Sequence, residues 1–364
     1  MMLKYKRSLL FCALLPMMVA PAMGAGYQFS RFNYSNLYNK DDKVTLAYSW
    51  FNYDVEGQAP NGQKTGNLAD DTHYIQGGVN YHFTDNFSGN IQYYRAHNIN
   101  TEHTQGVYEG SGAFVRSRVL AFTGKYQFNP YFSAFLGPTI NDTEIQADFD
   151  GALTRNRGNL NLDLGQDYAL GYTAGASFHY PDIALRATLG YQSEIKHDFD
   201  DIQETGSLTR GATLTSQGEI VLPQSVTFDF QTGIAPKTLL TFNAFWTNWK
   251  AHTIDSQVLG QVVGFKNNTM NYSLGVAYQF TPQFVGLTEL LYGEGAGEKG
   301  VVNPLAPANG SKGVKVAGRY KFDDFAVFMQ ARYTMINDGT DRPTQSTYEG
   351  NSVVILSAGV EYLF

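Results

Sequence analysis

The sequence predicts an all-β chain, a transmembrane antiparallel up-and-down β-barrel of about fourteen strands, with short periplasmic turns and long extracellular loops. Three observations predict it. An aromatic-x-aromatic triplet recurs along the chain, apolar and polar residues alternate behind each triplet, and short turns alternate with long polar stretches. Composition agrees, because 24 Tyr, 25 Phe and 37 Gly suit strands and tight turns. Mean hydropathy is below zero and no apolar run reaches about 18 residues, which excludes a helical membrane span.

The chain opens with an export signal. Lys4, Lys6 and Arg7 form a positive start, Ser8 to Val19 is apolar but too short to span, and Pro21-Ala22-Met23-Gly24 supplies small residues for cleavage. Residues 1–24 are therefore read as a signal peptide cut near Gly24/Ala25, residues 25–42 as a short N-terminal segment that could plug the lumen, and residues 43–364 as the barrel. Cleavage removes the single cysteine, Cys12, so neither a disulfide nor a thiolate metal site is expected. It also makes the chain more acidic than its formal −7, which argues against a nucleic-acid partner.

The triplets are Tyr81-His82-Phe83, Tyr126-Gln127-Phe128, Phe178-His179-Tyr180, Phe228-Asp229-Phe230, Tyr278-Gln279-Phe280, Tyr320-Lys321-Phe322 and Tyr362-Leu363-Phe364. At a period of two both aromatics face one way. Reading back from Phe280, Tyr278, Val276, Leu274, Tyr272 and Met270 share that face, and Gln279, Ala277, Gly275, Ser273 and Asn271 oppose it. Strands of this length cross a bilayer when tilted. Short turns such as Asn129-Pro130 and Thr281-Pro282 follow the internal triplets, and polar stretches close the other ends near 56–71, 100–113, 147–166, 200–215, 252–265, 294–312 and 337–349. All triplets thus fall at the periplasmic end, where Tyr and Phe form an interfacial girdle. Phe364 and Tyr362 end the chain as the signal the barrel-assembly machinery reads, and the location implied is the bacterial outer membrane, among its lipid and lipopolysaccharide.

The same parity places Arg186, Gln192, Glu194, Lys196 and Asp198, then Lys315, Arg319, Lys321, Gln330, Arg332 and Glu361, toward the lumen. In Lys237 to Lys250, Phe245 and Trp249 share the inward face with Thr241 and Asn243, so they are candidate contacts for an apolar solute, with Arg186 and Lys196 as candidate polar partners. Pro138 and Pro223 interrupt strand-like runs and mark wall kinks, one way for a solute to leave sideways. Catalytic signatures such as G-x-S-x-G, H-E-x-x-H and a phosphate-binding glycine loop are missing from the sequence. Asp70-Asp71 and His197-Asp198 could share an outer rim, and the acidic run Asp198, Asp200, Asp201, Glu204 could meet a divalent ion, but solvated loops explain both. Neither an enzyme nor a cofactor or metal is expected.

Particular segments resemble a known family. Ala25-Gly-Tyr-Gln-Phe29 is similar to the A-G-F-Q-L opening of the FadL/TodX family of outer-membrane transporters for hydrophobic compounds. Leu189-Gly-Tyr-Gln-Ser-Glu-Ile-Lys-His-Asp-Phe199 resembles its T-Y-R-S-E-I-K-H-D-F strand, and Leu222-Pro223 followed by Phe242 to Trp249 resembles its next block. The resemblance implies a fourteen-stranded barrel that takes up long-chain fatty acids or similar hydrophobic molecules, binds them inside and releases them laterally without an energy source. It also implies an N-terminal hatch of about 40 residues with an N-P-A motif. Here only Ala25 to Asp42 precede the first strand and N-P-A does not occur there, so a shortened hatch is expected. An open diffusion porin for small polar solutes is the alternative.

Overall fold

A computed structural model describes residues 30–364; the expected leader and the Ala25–Phe29 opening lie outside the described residues. The alternation of the sequence becomes sixteen hydrogen-bonded strands in one sheet, fourteen of which close into an antiparallel barrel. In chain order these are β1 (Lys43–Asp54), β2 (Thr72–His82), β3 (Phe87–Glu102), β4 (Gly112–Gln127), β5 (Phe132–Phe149), β6 (Leu160–Tyr180), β7 (Leu185–Gln192), β8 (Ile195–Thr205), β9 (Leu214–Leu222) and β10 (Ser225–Ala235). They continue as β11 (Thr238–Thr247), β12 (Thr269–Gln279), β13 (Phe284–Gly293), β14 (Ser311–Lys321), β15 (Phe325–Ile336) and β16 (Ser352–Leu363). Each barrel strand pairs with its sequence neighbour except that β7 pairs with β10, because the β8–β9 hairpin is an excursion beyond the wall. The seam closes between β1 and β16, from Lys43↔Leu363 to Asp54↔Ser352. Closure pairs the first barrel strand with the last, so neither presents a free edge to lipid.

The outer face is the apolar one. Leu136, Leu170, Leu189, Leu290 and Met329 are exposed at mid-strand, and the triplet aromatics form an exposed ring at the short-turn end. Across the seam Tyr81 and Phe364 stack with ring centroids 6.5 Å apart, so the girdle is continuous where the chain ends meet.

The inner face is polar and ion-paired. Lys43 and Arg319 share the Glu361 carboxylate, and Lys315 pairs with Glu289, all buried. Removing one partner of such a pair would leave a buried charge, at a cost of about 3–5 kcal/mol. Above the wall the long loops fold inward over an apolar cluster of Ile99, Val115, Ile145, Phe149, Leu160, Leu162, Leu164, Phe199, Ile202, Ile220, Trp249 and Ile254.

The wall is irregular at three places. Pro138 removes the pairs opposite Phe122 and Thr123 on β4, yet the register is the same on both sides, so the result is a local bend. Pro223 lies where both strands of one hairpin leave the ladder together: pairing stops at Gln192↔Ser225 and resumes at Ile195↔Leu222. Its missing N–H is one cause; Ser193 is the other, bonding instead across to the backbone of Tyr172 at 3.0 Å. The third irregularity is larger. Pairing of β2 with β3 ends at Gly77↔Tyr93 and returns only as the isolated bridge Ala69↔Thr101. Between them the wall has no ladder, and the β3–β4 register shifts at Arg95/His97 on the same stretch.

Candidate functional site

The lumen is occupied by the chain's own N-terminal segment. Ser30 donates its N–H to Ala96 O at 3.4 Å, inside the β2–β3 interruption, and the chain then descends through a 3-10 turn, Tyr34–Tyr38. Asn33 caps that turn by accepting from Ser35 N at 3.0 Å. Gln92 holds the Asn33 backbone from both sides at 3.0 Å, Tyr34 Oη meets Thr173 Oγ1 at 3.3 Å, Tyr38 Oη meets Ser177 Oγ, and Arg186 donates to Ser35 Oγ at 3.0 Å. Phe32, Tyr34 and Leu37 are buried with Tyr94, Val119, Ala121 and Phe135. Each such side chain contributes about 1.5–3 kcal/mol of burial. Gly190 makes room: Tyr34 Cζ lies 2.3 Å from where a Cβ would stand.

Phe245 projects inward from β11 and is 1% exposed. The Arg31 guanidinium lies 4.6 Å from its ring centroid and reaches Asn243 Oδ1 at 2.6 Å. Beside them is a cavity of about 50 Å³, whose lining includes Tyr94, His97, Ile195, Leu222, Pro223 and Phe245. It touches both the Pro223 break and the bulged part of β3.

Trp249 was expected inward on the same strand as Phe245. The strand ends at Thr247, and Trp249 opens a 3-10 turn, Trp249–Ala251, inside the loop-covered cluster. Its ring packs against His97, His252 and Phe265 with centroids 5.7, 5.9 and 5.1 Å away. Burial holds the His252 imidazole below its ordinary pKa, and its Nδ1–H donates to Val221 O at 2.9 Å, so a neutral ring faces Trp249. His97 links the two positions, packing edge-on against Trp249 and lining the cavity beside Phe245.

Arg186 points inward and is buried against the plug. Lys196 corrects the inward expectation: it is on the outer face, pairing with Glu219 at 3.2 Å. The two residues that leave the ladder at Ser193–Glu194 turn the strand over, so that beyond the break the odd positions His197 and Phe199 are buried. Glu194 and Asp198, expected inward by the same parity, are exposed for the same reason. The rim residues are not brought together. Asp71 accepts from Trp50 and Asn52, whereas His197 bonds Asp167 and Asn141 at 2.8 Å. Of the acidic run, Glu204 is buried and receives the Ser256 hydroxyl and two backbone N–H groups, while Asp198, Asp200 and Asp201 face outward. Among the described residues there is no group of His, Cys, Asp or Glu able to hold a metal.

Sequence reasoning missed Arg31, Tyr94 and His97, and the β2–β3 interruption. One signal was available: Phe32, Tyr34, Leu37 and Tyr38 precede the first strand without a charge among them, an unfavourable composition for a water-exposed tail.

The family described as outer membrane protein transport protein (OMPP1/FadL/TodX) matches residues 37–338. Among solved structures, a FadL homologue of Pseudomonas aeruginosa superposes with a TM-score of 0.74 at 12% identity, covering 94% of this chain and 96% of that one. The toluene transporter TodX of Pseudomonas putida gives 0.69 at 12%, covering 90% and 91%. The toluene transporter TbuX of Ralstonia pickettii gives 0.65 at 10%, covering 97% and 99%. At these identities the likeness shows the fold. The search of curated proteins finds no match.

Proposed function

Because the chain belongs to the outer membrane protein transport protein family (OMPP1/FadL/TodX), whose members are channels for hydrophobic compounds in the outer membrane and not enzymes, we propose that it carries long-chain fatty acids or similar hydrophobic molecules passively, with lateral exit. In this reading a solute enters the apolar loop cluster, passes Trp249, lodges at the Phe245 cavity with Arg31 near its polar end and Arg186 deeper, behind the plug, and leaves sideways between β2 and β3. The observation that carries it is the missing β2–β3 ladder. A small apolar pocket sits in that interruption, lined by Tyr53, Ala69, Thr72, Ile99, Pro307 and Ile336. Strands that make no hydrogen bonds to each other can part without breaking any.

The proposal includes export by residues 1–24, a short plug in residues 25–42 in place of a longer hatch, and assembly guided by Tyr362 and Phe364. Outer-membrane lipid would receive the solute, with lipopolysaccharide around the upper rim. A second reading, an open pore for small polar solutes, is favoured by the inward Lys315, Arg319 and Arg332. Residues 30–38 in the lumen count against it.

The test is uptake of labelled oleate by cells carrying the wild type, Ala69→Trp or Ala308→Trp, with barrel assembly followed by heat-modifiable mobility on gels. Each tryptophan fills the wall pocket, so uptake should fall to the level of cells without the channel while assembly is retained. Undiminished uptake through both assembled variants would overturn the lateral route.

A further inference from the structure

The periplasmic mouth holds a second site of different chemistry. Below the plug the lumen opens into a vestibule of about 1030 Å³ whose wall includes Tyr38, Lys125 and His179. Its inner end is cationic. Lys125 on β4 is 8% exposed, and its Nζ stands 5.1 Å from the centroid of the Tyr38 ring. The Arg186 guanidinium lies 4.5 Å from the same centroid, and the His179 ring is 5.0 Å away. Among the described residues no carboxylate lies within ion-pair distance of Lys125 or Arg186. The acidic residues of the rim are engaged elsewhere or exposed, Asp41 by Lys321 at 3.5 Å, Asp42 by His82 at 2.7 Å, and Asp85, Asp323 and Asp324 on the exposed turns; deeper in, Asp229 shares a cavity lining with Arg186 and accepts from Asn243.

A buried ammonium without an acid is costly, and native proteins pair such groups. The other buried ammonium groups of this lumen keep the rule, since Lys43 pairs with Glu361 and Lys315 with Glu289. Among the described residues Lys125 breaks it beside an open vestibule, with the face of the Tyr38 ring against its Nζ. The hydroxyls behind the vestibule are engaged with one another, Ser177 donating to Thr188 Oγ1 at 2.8 Å and Ser133 Oγ lying 3.2 Å from His179 Nε2, so Lys125 is the group turned to the opening. Arg186 stands behind the Tyr38 ring and adds its field without entering the vestibule lining.

We propose that this end of the vestibule is an anion-binding site that takes a carboxylate or phosphate group on Lys125. Such an anion would approach from the periplasm and meet Lys125 as a charge-assisted partner, with His179 on the same wall. The same chemistry is offered by a free small anion and by the head group of an amphiphile. The inference does not rest on the hydrophobic route, which reaches the lumen from the other side of the plug.

The test is equilibrium dialysis of the purified protein in detergent against radiolabelled inorganic phosphate, octanoate and, as an uncharged control, octanol. Wild type, Lys125→Gln and Lys125→Arg are compared after heat-modifiable mobility shows each barrel folded. The expected result is saturable binding of an anion that weakens by about tenfold or more in Lys125→Gln and is kept in Lys125→Arg, with octanol binding unchanged. Loss of both phosphate and octanoate in Lys125→Gln identifies a general small-anion site; loss of octanoate alone identifies a head-group site. Absence of anion binding in the wild type, or equal binding by Lys125→Gln, overturns the proposal. Loss of octanol binding together with the anions also overturns it, because the substitution would then act through the plug.

Discussion

Gly190→Ala is the smallest change that should loosen the plug. An alanine Cβ at this position would stand 2.3 Å from Tyr34 Cζ and 2.4 Å from Cε1. That is at least ~1 Å inside the ~3.5–4.0 Å optimum for carbon pairs. The ring cannot tip away freely, since it packs on Phe32 and Phe135 with centroids 4.9 and 5.3 Å distant and its hydroxyl is bonded to Thr173. Overpacking of this kind costs about 1–3 kcal/mol. If all of it falls on the plugged state, the population with Tyr34 displaced rises by roughly 5- to 150-fold. Single-channel recording in planar bilayers reads that population as open events, which should rise at least about fivefold in Gly190→Ala. Tyr34→Phe loses only the hydroxyl bond and should give a smaller rise. Quiet traces from Gly190→Ala, with thermal stability also unchanged, would refute the reasoning: the ring would then have moved aside without weakening its hold.

Two further outcomes are expected. Phe245→Ala or Trp249→Ala should weaken binding of an apolar fluorescent probe by about tenfold or more through lost apolar contact while the barrel stays assembled; Lys196→Gln, on the outer face, should leave binding unchanged, and equal affinity in both aromatic variants would remove them from the site. In the loop cap, burial lowers the pKa of His103, whose Nε2 bonds Pro304 O at 2.9 Å. The neutral form is the folded one, so its stabilisation is complete above the ordinary value of 6.5 and is lost as pH falls below it toward the folded pKa. Protease cleavage in the 103–111 loop should therefore accelerate as pH falls below 6.5 in the wild type and not in His103→Asn; pH-independent cleavage of the wild type would contradict this.

The barrel was legible because its code is local. Alternation over ten residues fixes which side of Tyr272 or Leu274 meets lipid, and a triplet followed by Asn-Pro or Thr-Pro marks a strand end without reference to the rest of the chain. The site was legible only where it obeyed that code. Phe245 obeys it, and the structure places it in the lumen. Lys196 does not, since a two-residue break at Ser193–Glu194 reverses the parity of everything beyond it, and one proline on the opposite strand does not announce that both strands leave the ladder at one level. Trp249 was carried by the same assumption past the real strand end. The plug depends on contacts such as Tyr34 with Thr173 and Gly190, about 140 and 156 residues apart. Periodicity carries no information at that separation.

The polar lumen and the apolar solute fit together once the two exits are compared. Downward, a solute at Phe245 would have to displace the Tyr34–Tyr38 turn with its bonds to Gln92, Thr173, Ser177 and Arg186. It would then bring apolar surface against Arg186 and Lys125, separating charges from water without replacing the lost solvation. Sideways, the ladder from 70–76 to 94–100 is already missing, so no backbone hydrogen bonds stand in the way, and the neighbouring pocket is apolar. Each net bond spared is worth about 0.5–1.5 kcal/mol. The plug contacts that Ser30 makes in that gap are long, its N–H to Ala96 O at 3.4 Å and its hydroxyl to Gln76 Oε1 at 3.5 Å, so plug and wall are weakly joined there. In the proposed route, the charges that would line an open pore would instead oppose downward passage of an apolar solute and so favour the lateral exit.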